Sequence, residues 1–151
     1  MDITIRSAKP DDAQVLVQIL RETADEDNER TPVTEAYAKA NIASPGSAIP
    51  LAEANGAAAG RLSYSIRPNL FHAAPACLIE RPVARKEMRS HGAGSAWMQA
   101  LPSRAGAPNC AEVSVSTMPG NAGAIRFYRR QGLTEEALFL EKHFPQASVV
   151  E

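Results

Sequence analysis

The chain has 151 residues, of which 44% are hydrophobic and 22% charged. These proportions are typical of one soluble globular domain and exclude disordered and fibrous classes. Lys and Arg number 16 against 17 Asp and Glu, a formal net charge of -1, so no overall field attracts nucleic acid or an anionic membrane. No apolar stretch has the length of a signal peptide or a membrane span. We expect a cytoplasmic domain over residues 1–145, with a frayed tail over 146–151.

The first third of the chain predicts one strand and two helices. Residues 2–6 alternate apolar and polar side chains, the period of a half-buried strand. A helix is expected from Pro10 to about Ala24, because apolar residues then recur at helical spacing. The acidic stretch 22–29 follows as a predicted loop, and Thr31-Pro32 is suited to begin a second helix. Pro45 and Gly46 should end that helix.

A β-hairpin is predicted next, with its turn at Asn55-Gly56. These two residues tolerate the positive φ angles of a tight type I′ turn, and residues 49–54 and 57–66 flank them as strands. A polar connection over 67–75 leads to the apolar run 76–79, which has the length of a buried strand.

The second half alternates helical and extended patterns. Helices are expected over 92–101 and 122–130, and extended segments over 111–117 and 133–143. This order predicts an α/β architecture containing a parallel pair of strands. Cys77 and Cys110 form no metal-type pair and are expected to be reduced, and no His, Cys, Asp or Glu cluster has metal-ligand spacing.

A glycine-containing segment, Arg89-Ser90-His91-Gly92-Ala93-Gly94, lies between the predicted buried strand and a helix. Glycines let a backbone approach a ligand closely, and the free N–H groups at a helix start suit a pyrophosphate. Arg89 would add a charge-assisted donor. The alternative interpretation is that the glycines only shape a strand-to-helix turn.

A second motif is the predicted helix that begins after Asn121 and ends at Gly132. Asn is a good N-cap and Gly a good C′ residue. Ala124 and Tyr128 are four residues apart and share one face. Phe127 is expected in the core, whereas the hydroxyl of Tyr128 needs a polar partner if it is buried. An aromatic residue at this spacing can also be plain core.

In these two motifs the chain resembles the GNAT superfamily of N-acetyltransferases. Arg89, Gly92 and Gly94 match the Arg/Gln-x-x-Gly-x-Gly/Ala pattern of its acyl-CoA loop, and the later helix matches from Asn121 to Gly132. A narrower similarity to the diamine and thialysine acetyltransferase branch rests on Ile79-Glu80 and residues 127–130. The resemblance implies a mixed, mostly antiparallel sheet with splayed parallel central strands flanked by helices, acetyl-CoA as co-substrate, and a homodimer.

The resemblance also implies roles for individual residues. Glu80 would act as a base through water and Tyr128 would protonate the departing thiolate, although Glu80 can equally be an ordinary surface carboxylate. Glu26 and Asp27 would border the acceptor site, unless the acidic stretch is only solvated surface. No metal is implied. Acetyl-CoA would contact Val83, Ala84, Arg89, Ser90, His91, Gly92, Ala93, Gly94, Ser95, Asn121, Ala124 and Tyr128.

Two prolines depart from the family pattern. Pro82 follows the acidic position and has no N–H to offer a ligand, so a donor there must come from Val83 or Ala84. Pro102 is expected to break or kink the helix after Leu101.

Three functions are compatible with the sequence. The chain is interpreted first as an acetyltransferase for a small-molecule amine, namely a polyamine, a diamine or an amino-acid-like acceptor. A protein N-terminus or lysine is the alternative acceptor. A non-catalytic acyl-CoA-binding or dimerisation module is the third hypothesis, which the two prolines favour.

Overall fold

The computed structural model describes residues 2–105 and 110–145. The strands are β1 (Ile3–Ser7), β2 (Ser47–Ala48), β3 (Pro50–Ala54), β4 (Ala57–Asn69), β5 (Ala74–Ala84) and β6 (Glu112–Val115). The helices are α1 (Ala13–Glu26), α2 (Glu35–Ile42), α3 (Ala93–Ala105) and α4 (Ala122–Arg130). Short 3-10 turns precede α1 and follow β5. Within the described ranges, no helix combines the length and apolar character that crossing a membrane requires.

The strands form one mixed sheet in the order β1-β3-β4-β5-β6, with β2 paired to β4. All pairings are antiparallel except that of β5 with β6. The parallel ladder ends at the pair Ile79 and Val115, whereas β5 continues to Ala84. The mixed, mostly antiparallel sheet is therefore confirmed. The parallel pair lies at one end of the strand order in the described residues, not at its centre.

The two faces of the sheet carry different helices. Leu62, Tyr64 and Ile79 are buried in a cluster with Trp97 and Leu101 of α3. Side chains alternate along a strand, so the neighbours of these residues point to the opposite face, against which α1 packs on β4 and β5. The side chain of Trp97 is buried in this cluster. The start of α3 and the surface of the sheet under α1 are thus on opposite faces of the sheet.

Close packing at Gly60 gives a stability prediction. A Cβ at this position would lie 2.9 Å from the Trp97 ring and 2.9 Å from the Val83 carbonyl oxygen. Neither neighbour can move cheaply, so we expect Gly60→Ala to lower the free energy of unfolding by about 1–3 kcal/mol. Urea denaturation measures the change. Gly120→Ala is the control because nothing lies within 4 Å of its Cβ, and equal losses in both variants would contradict the packing argument.

The predicted hairpin is confirmed. Strands β3 and β4 pair across Asn55 and Gly56, whose φ angles are 51° and 83°. Both angles are positive, as a type I′ turn requires. The strand β4 extends to Asn69 and β5 begins at Ala74, so the polar connection is much shorter than the predicted 67–75. Pairing with β5 keeps Arg67 in the ladder although its side chain is polar, and keeps Pro68 there although it has no N–H to donate.

The boundaries of the first two helices differ from the predictions. The helix α1 continues into the acidic stretch and ends at Glu26, because the arginines Arg85 and Arg89 neutralise two of its carboxylates. The helix α2 begins at Glu35, and the side chain of Thr34 caps it by accepting a hydrogen bond from the N–H of Tyr37. Thr31-Pro32 therefore does not start this helix. A Thr three residues later satisfies the free N–H better.

Two predictions for the second half are wrong. The predicted break after Leu101 is absent, and α3 continues through Pro102 to Ala105, because a proline removes only one helical hydrogen bond while α3 keeps its buried contacts with the sheet. The predicted kink at Pro102 stays a prediction. Residues 133–143 form no strand, since they pair with no neighbour in the described part of the chain. Leu138, Phe139 and Leu140 there are exposed. The predicted frayed tail, 146–151, lies outside the described residues.

Candidate active site

The turn after β5 folds back onto the end of that strand. Arg89 Nε donates a hydrogen bond of 2.9 Å to the carbonyl oxygen of Ala84, and Met88 anchors the turn in the core with 1% of its surface exposed. Ser90 and Gly92 have φ angles of 66° and 87°. Glycine adopts this left-handed region without strain. The local sequence thus holds a tight loop at the entrance to α3.

The start of α3 offers unsatisfied donors to this loop. The first helical bond runs from the N–H of Ala96 to the carbonyl of Gly92, at 3.0 Å, so the N–H groups of Ala93, Gly94 and Ser95 have no acceptor within the helix. Nothing lies within 4 Å of the position a Gly92 Cβ would take. Open space, free N–H groups and Arg89 fit a pyrophosphate of the kind acetyl-CoA carries. His91 is exposed beside them.

The helix α4 has the predicted bounds and caps. The side chain of Asn121 accepts a hydrogen bond of 3.1 Å from the N–H of Ala124. Gly132, at φ 93°, ends the helix, and the N–H of Leu133 reaches back to the carbonyl of Tyr128 at 3.0 Å. Such 6→1 closure is the Schellman type of helix end. Both cap predictions are confirmed.

The ring of Phe127 joins α4 to the glycine loop. Its Cζ atom lies 2.9 Å from the position of a Cβ on Gly94, so only glycine admits this contact. Tyr128 follows directly, with its ring 5.2 Å from that of Phe127 in an edge arrangement. The Tyr128 side chain is buried, and burial raises the pKa of its phenol above the ordinary value. The two sequence motifs therefore meet, and the phenol stays protonated at neutral pH.

The end of β5 carries Glu80 and a β-bulge. Glu80 pairs with Ser63 of β4, and its side chain is exposed. Pairing then shifts register, so that Val83 lies opposite Arg61. Pro82 falls inside this shift, where the ladder does not demand its missing N–H. Val83 is buried and Ala84 half-buried.

Carboxylates at the end of α1 form ion pairs with arginines of β5 and the following turn. Glu26 accepts a bond of 2.5 Å from Arg89, and Asp27 pairs with Arg81. The predicted acceptor residues thus lie beside the glycine loop and the end of β5. Arg81, at the end of β5, is a partner that sequence reasoning missed. Its signal is the spacing: Arg81, Arg85 and Arg89 recur every four residues, and Glu22 and Glu26 are also four residues apart.

An open cleft of about 750 Å³ lies between the end of α1 and the turn after β5. It adjoins the Glu26–Arg89 ion pair and includes neither Glu80 nor Tyr128. The cleft is strongly charged, which suits polar ligands better than apolar ones. Its lining comprises Glu22, Thr23, Asp25, Glu26, Arg85, Lys86 and Glu87.

The remaining candidates for chemistry are histidines and cysteines. In residues 2–105 and 110–145, no group of His, Cys, Asp and Glu could hold a metal ion. His72 lies 3.7 Å from Glu112, and His143 lies 3.1 Å from Glu141. Cys77 is buried and Cys110 partly buried, and both are free thiols.

Comparison with known proteins agrees with this geometry. The model of the acetyltransferase (GNAT) family matches residues 13–133. The solved structure of a "putative acetyltransferase from Agrobacterium tumefaciens str. C58" is 26% identical, with a TM-score of 0.79 over 93% of this chain and 99% of that one. The aminoglycoside acetyltransferase meta-AAC0020 from an uncultured soil metagenomic sample is 16% identical, with a TM-score of 0.79 over 96% and 97%.

A third structure has the same fold. The ribosomal-protein-alanine N-acetyltransferase from Brucella melitensis biovar Abortus 2308 is 13% identical, with a TM-score of 0.76 over 95% of this chain and 100% of that one. No curated protein matches the sequence. The family match spans both motifs and most of the sheet. The chain therefore belongs to the GNAT family of acetyltransferases.

Proposed function

We propose that this acetyltransferase transfers the acetyl group of acetyl-CoA to a primary amine of a small molecule, namely a polyamine, a diamine or an amino-acid-like acceptor. The observation that carries the proposal is the contact of Phe127 with Gly94, which brings Tyr128 to the loop suited to a pyrophosphate. A cytoplasmic homodimer belongs to the same proposal. The exposed apolar side chains of Leu138, Phe139 and Leu140 support it, because subunit contacts bury surfaces of this kind.

The proposed donor site extends from the end of β5 to α4. The free N–H groups from Ala93 to Ser95 would bind the pyrophosphate together with Arg89 and the loop at Ser90, His91 and Gly92. Val83 and Ala84 would border the pantetheine arm, which would enter where β5 continues beyond β6. Asn121 and Ala124 would border that arm from α4.

The reaction forms a bond between the amine nitrogen and the acetyl carbon and breaks the carbon–sulfur bond. An ammonium ion with a pKa of roughly 10.4 must first lose a proton, at a cost of about 4 to 5 kcal/mol at pH 7. Glu80 would accept that proton through water. The electron pair of the broken bond stays on sulfur, and Tyr128 would supply the proton that makes the free thiol. The products are the N-acetyl amine, CoA thiol and one proton.

Glu26 and Asp27 are proposed to attract the ammonium group of the acceptor. We expect the double variant Glu26→Gln, Asp27→Asn to raise KM for a diamine several-fold at low salt, because two negative charges leave the mouth of the site. Steady-state kinetics with a diamine and a neutral monoamine measure the selectivity. Glu135→Gln is the control because this exposed carboxylate follows α4. An unchanged ratio of kcat/KM between the two amines would assign the carboxylates to ion pairing alone.

Release of CoA thiol with a panel of amines tests the proposed function. Polyamines, diamines and free amino acids form one arm, and peptides with a free N-terminus or an internal lysine form the other. We expect release above the hydrolysis rate with the small molecules. Release with peptides alone would establish a protein acceptor, and acetyl-CoA binding without release by any amine would overturn the proposed reaction.

A further inference from the structure

A half-buried arginine, Arg61, lies under α1. Arg61 belongs to β4, where it alternates with Leu62, which faces α3. Its side chain therefore points to the opposite face of the sheet, the face against which α1 packs. The Nε atom is enclosed and has no hydrogen-bond partner. None of the ion pairs in the described part of the chain includes Arg61.

The electrostatic environment of this guanidinium is unfavourable. Burial lowers its pKa from the ordinary value, and only the charge of nearby Glu80 acts substantially in the other direction. Arg81, Arg85 and Arg89 each have a carboxylate of the α1 end as partner. The acidic stretch is thus engaged by the arginines at the surface. A half-buried charge that forms no ion pair and whose Nε has no hydrogen-bond partner is costly for a protein to keep, which points to a ligand that supplies the anion.

The pyrophosphate of acetyl-CoA is not that anion. The start of α3 belongs to the other face of the sheet, where Ala93 and Trp97 are buried with Leu62. Arg89 and the free N–H groups of α3 are already the proposed ligands of the pyrophosphate. An anion at Arg61 would therefore be part of the acceptor.

Glu80, a neighbour of Arg61, indicates which second group the acceptor carries. Glu80 pairs with Ser63, two residues along β4 on the same face as Arg61. Diagonal neighbours of this kind on adjacent strands have Cα atoms roughly 7 to 8 Å apart, a separation that the long arginine side chain can span. Arg61 and Glu80 thus present a cation and an anion side by side, the complement of a molecule that carries both a carboxylate and an amine.

We propose that Arg61 binds the carboxylate of the acceptor, so that the acceptor is a free amino acid whose amine lies at Glu80. This inference rests on the proposed function and narrows it. The guanidinium matches a carboxylate as a two-pronged donor. No chemical step is added, because Arg61 only positions the acceptor and Glu80 keeps its role towards the amine.

Kinetics with common L-amino acids and their amides test the proposal. An amide retains the amine and loses the carboxylate, so wild type should prefer the amino acid by roughly ten- to a hundredfold in kcat/KM. In Arg61→Gln the preference should fall to about one, mainly through KM, with unchanged affinity for acetyl-CoA. Arg61→Lys should keep part of the preference for the amino acid. Arg67 is an exposed arginine on the same strand, and Arg67→Gln should keep the whole preference.

The outcomes separate this inference from the proposed function. Removing this half-buried charge, which forms no ion pair, should leave Tm unchanged or higher, whereas a lower Tm with intact selectivity would make Arg61 structural and overturn the inference. Thiol release with amines but equal rates for amino acid and amide would also overturn it, while the proposed function stands. If no amine releases thiol, calorimetry of amino-acid binding still tests the role of Arg61. Wild type should bind the amino acid and Arg61→Gln should not, and equal heats of binding for the two proteins would overturn the inference.

Discussion

Replacement of Gly92 by Asp is expected to raise the Kd for acetyl-CoA on the order of a hundredfold, because it places a like charge against the pyrophosphate. Two unit charges about 4 Å apart repel by roughly 1 kcal/mol in water and about 4 kcal/mol near a protein surface. Space for the carboxylate exists, since nothing lies within 4 Å of the new Cβ. The side chain would therefore occupy the position proposed for the ligand. Isothermal calorimetry measures the change.

The backbone conformation at Gly92 requires a matched control. Its φ angle of 87° strains any side chain, so Gly92→Asn carries the same strain and shape without the charge. We expect the Asn variant to bind acetyl-CoA more tightly than the Asp variant, and Gly123→Ala in α4 to bind nearly as wild type. Equal dissociation constants for wild type and Gly92→Asp would refute the assignment of the loop.

Removal of the Tyr128 hydroxyl is expected to reduce kcat by about ten- to a thousandfold while acetyl-CoA binding is retained. This range is the usual contribution of a general acid. Tyr128→Phe keeps the buried ring and its edge contact with Phe127, so the site should keep its shape. The raised pKa of the phenol means that the donor is protonated over the neutral range. Pre-steady-state and steady-state thiol release measure the loss.

Tyr37→Phe is the control for this substitution, because Tyr37 is exposed on α2. It should leave kcat and the Kd of acetyl-CoA unchanged. A Tyr128→Phe enzyme with the kcat of wild type would reassign the hydroxyl to packing. That result would not affect the fold, since the ring itself provides the buried surface.

Local chemistry made much of the fold predictable. The Asn55-Gly56 turn and the caps at Asn121 and Gly132 depend on residues adjacent in sequence, and all three were confirmed. The prediction that a helix starts at Thr31 was wrong, because a second threonine, Thr34, caps the helix instead. Residues 133–143 carried an extended pattern, but a strand also needs a partner, which no local signal supplies.

The candidate site was predictable only where its residues form a contiguous motif. The loop at Gly92 and the helix bearing Tyr128 could be located from spacing, and their meeting at Gly94 and Phe127 needed coordinates. Arg61 gave no signal, because an arginine in a strand is read as solvent-facing. Only the three-dimensional structure reveals that the Nε atom of Arg61 is enclosed and that the carboxylates of α1 are engaged by other arginines.

The burial of Cys77 has a consequence for the fate of the acetyl group. A thioester also reacts with thiolates, and self-acylation of the protein would compete with transfer to the amine. Cys77 lies on β5 three residues before Glu80, yet it is 2% exposed and its side chain belongs to the core on the α3 face. Burial raises the pKa of its thiol to about 11, so roughly one molecule in ten thousand carries the thiolate at pH 7. The strand that would align the donor thus holds its own sulfur unreactive, and the amine meets no competing nucleophile from Cys77.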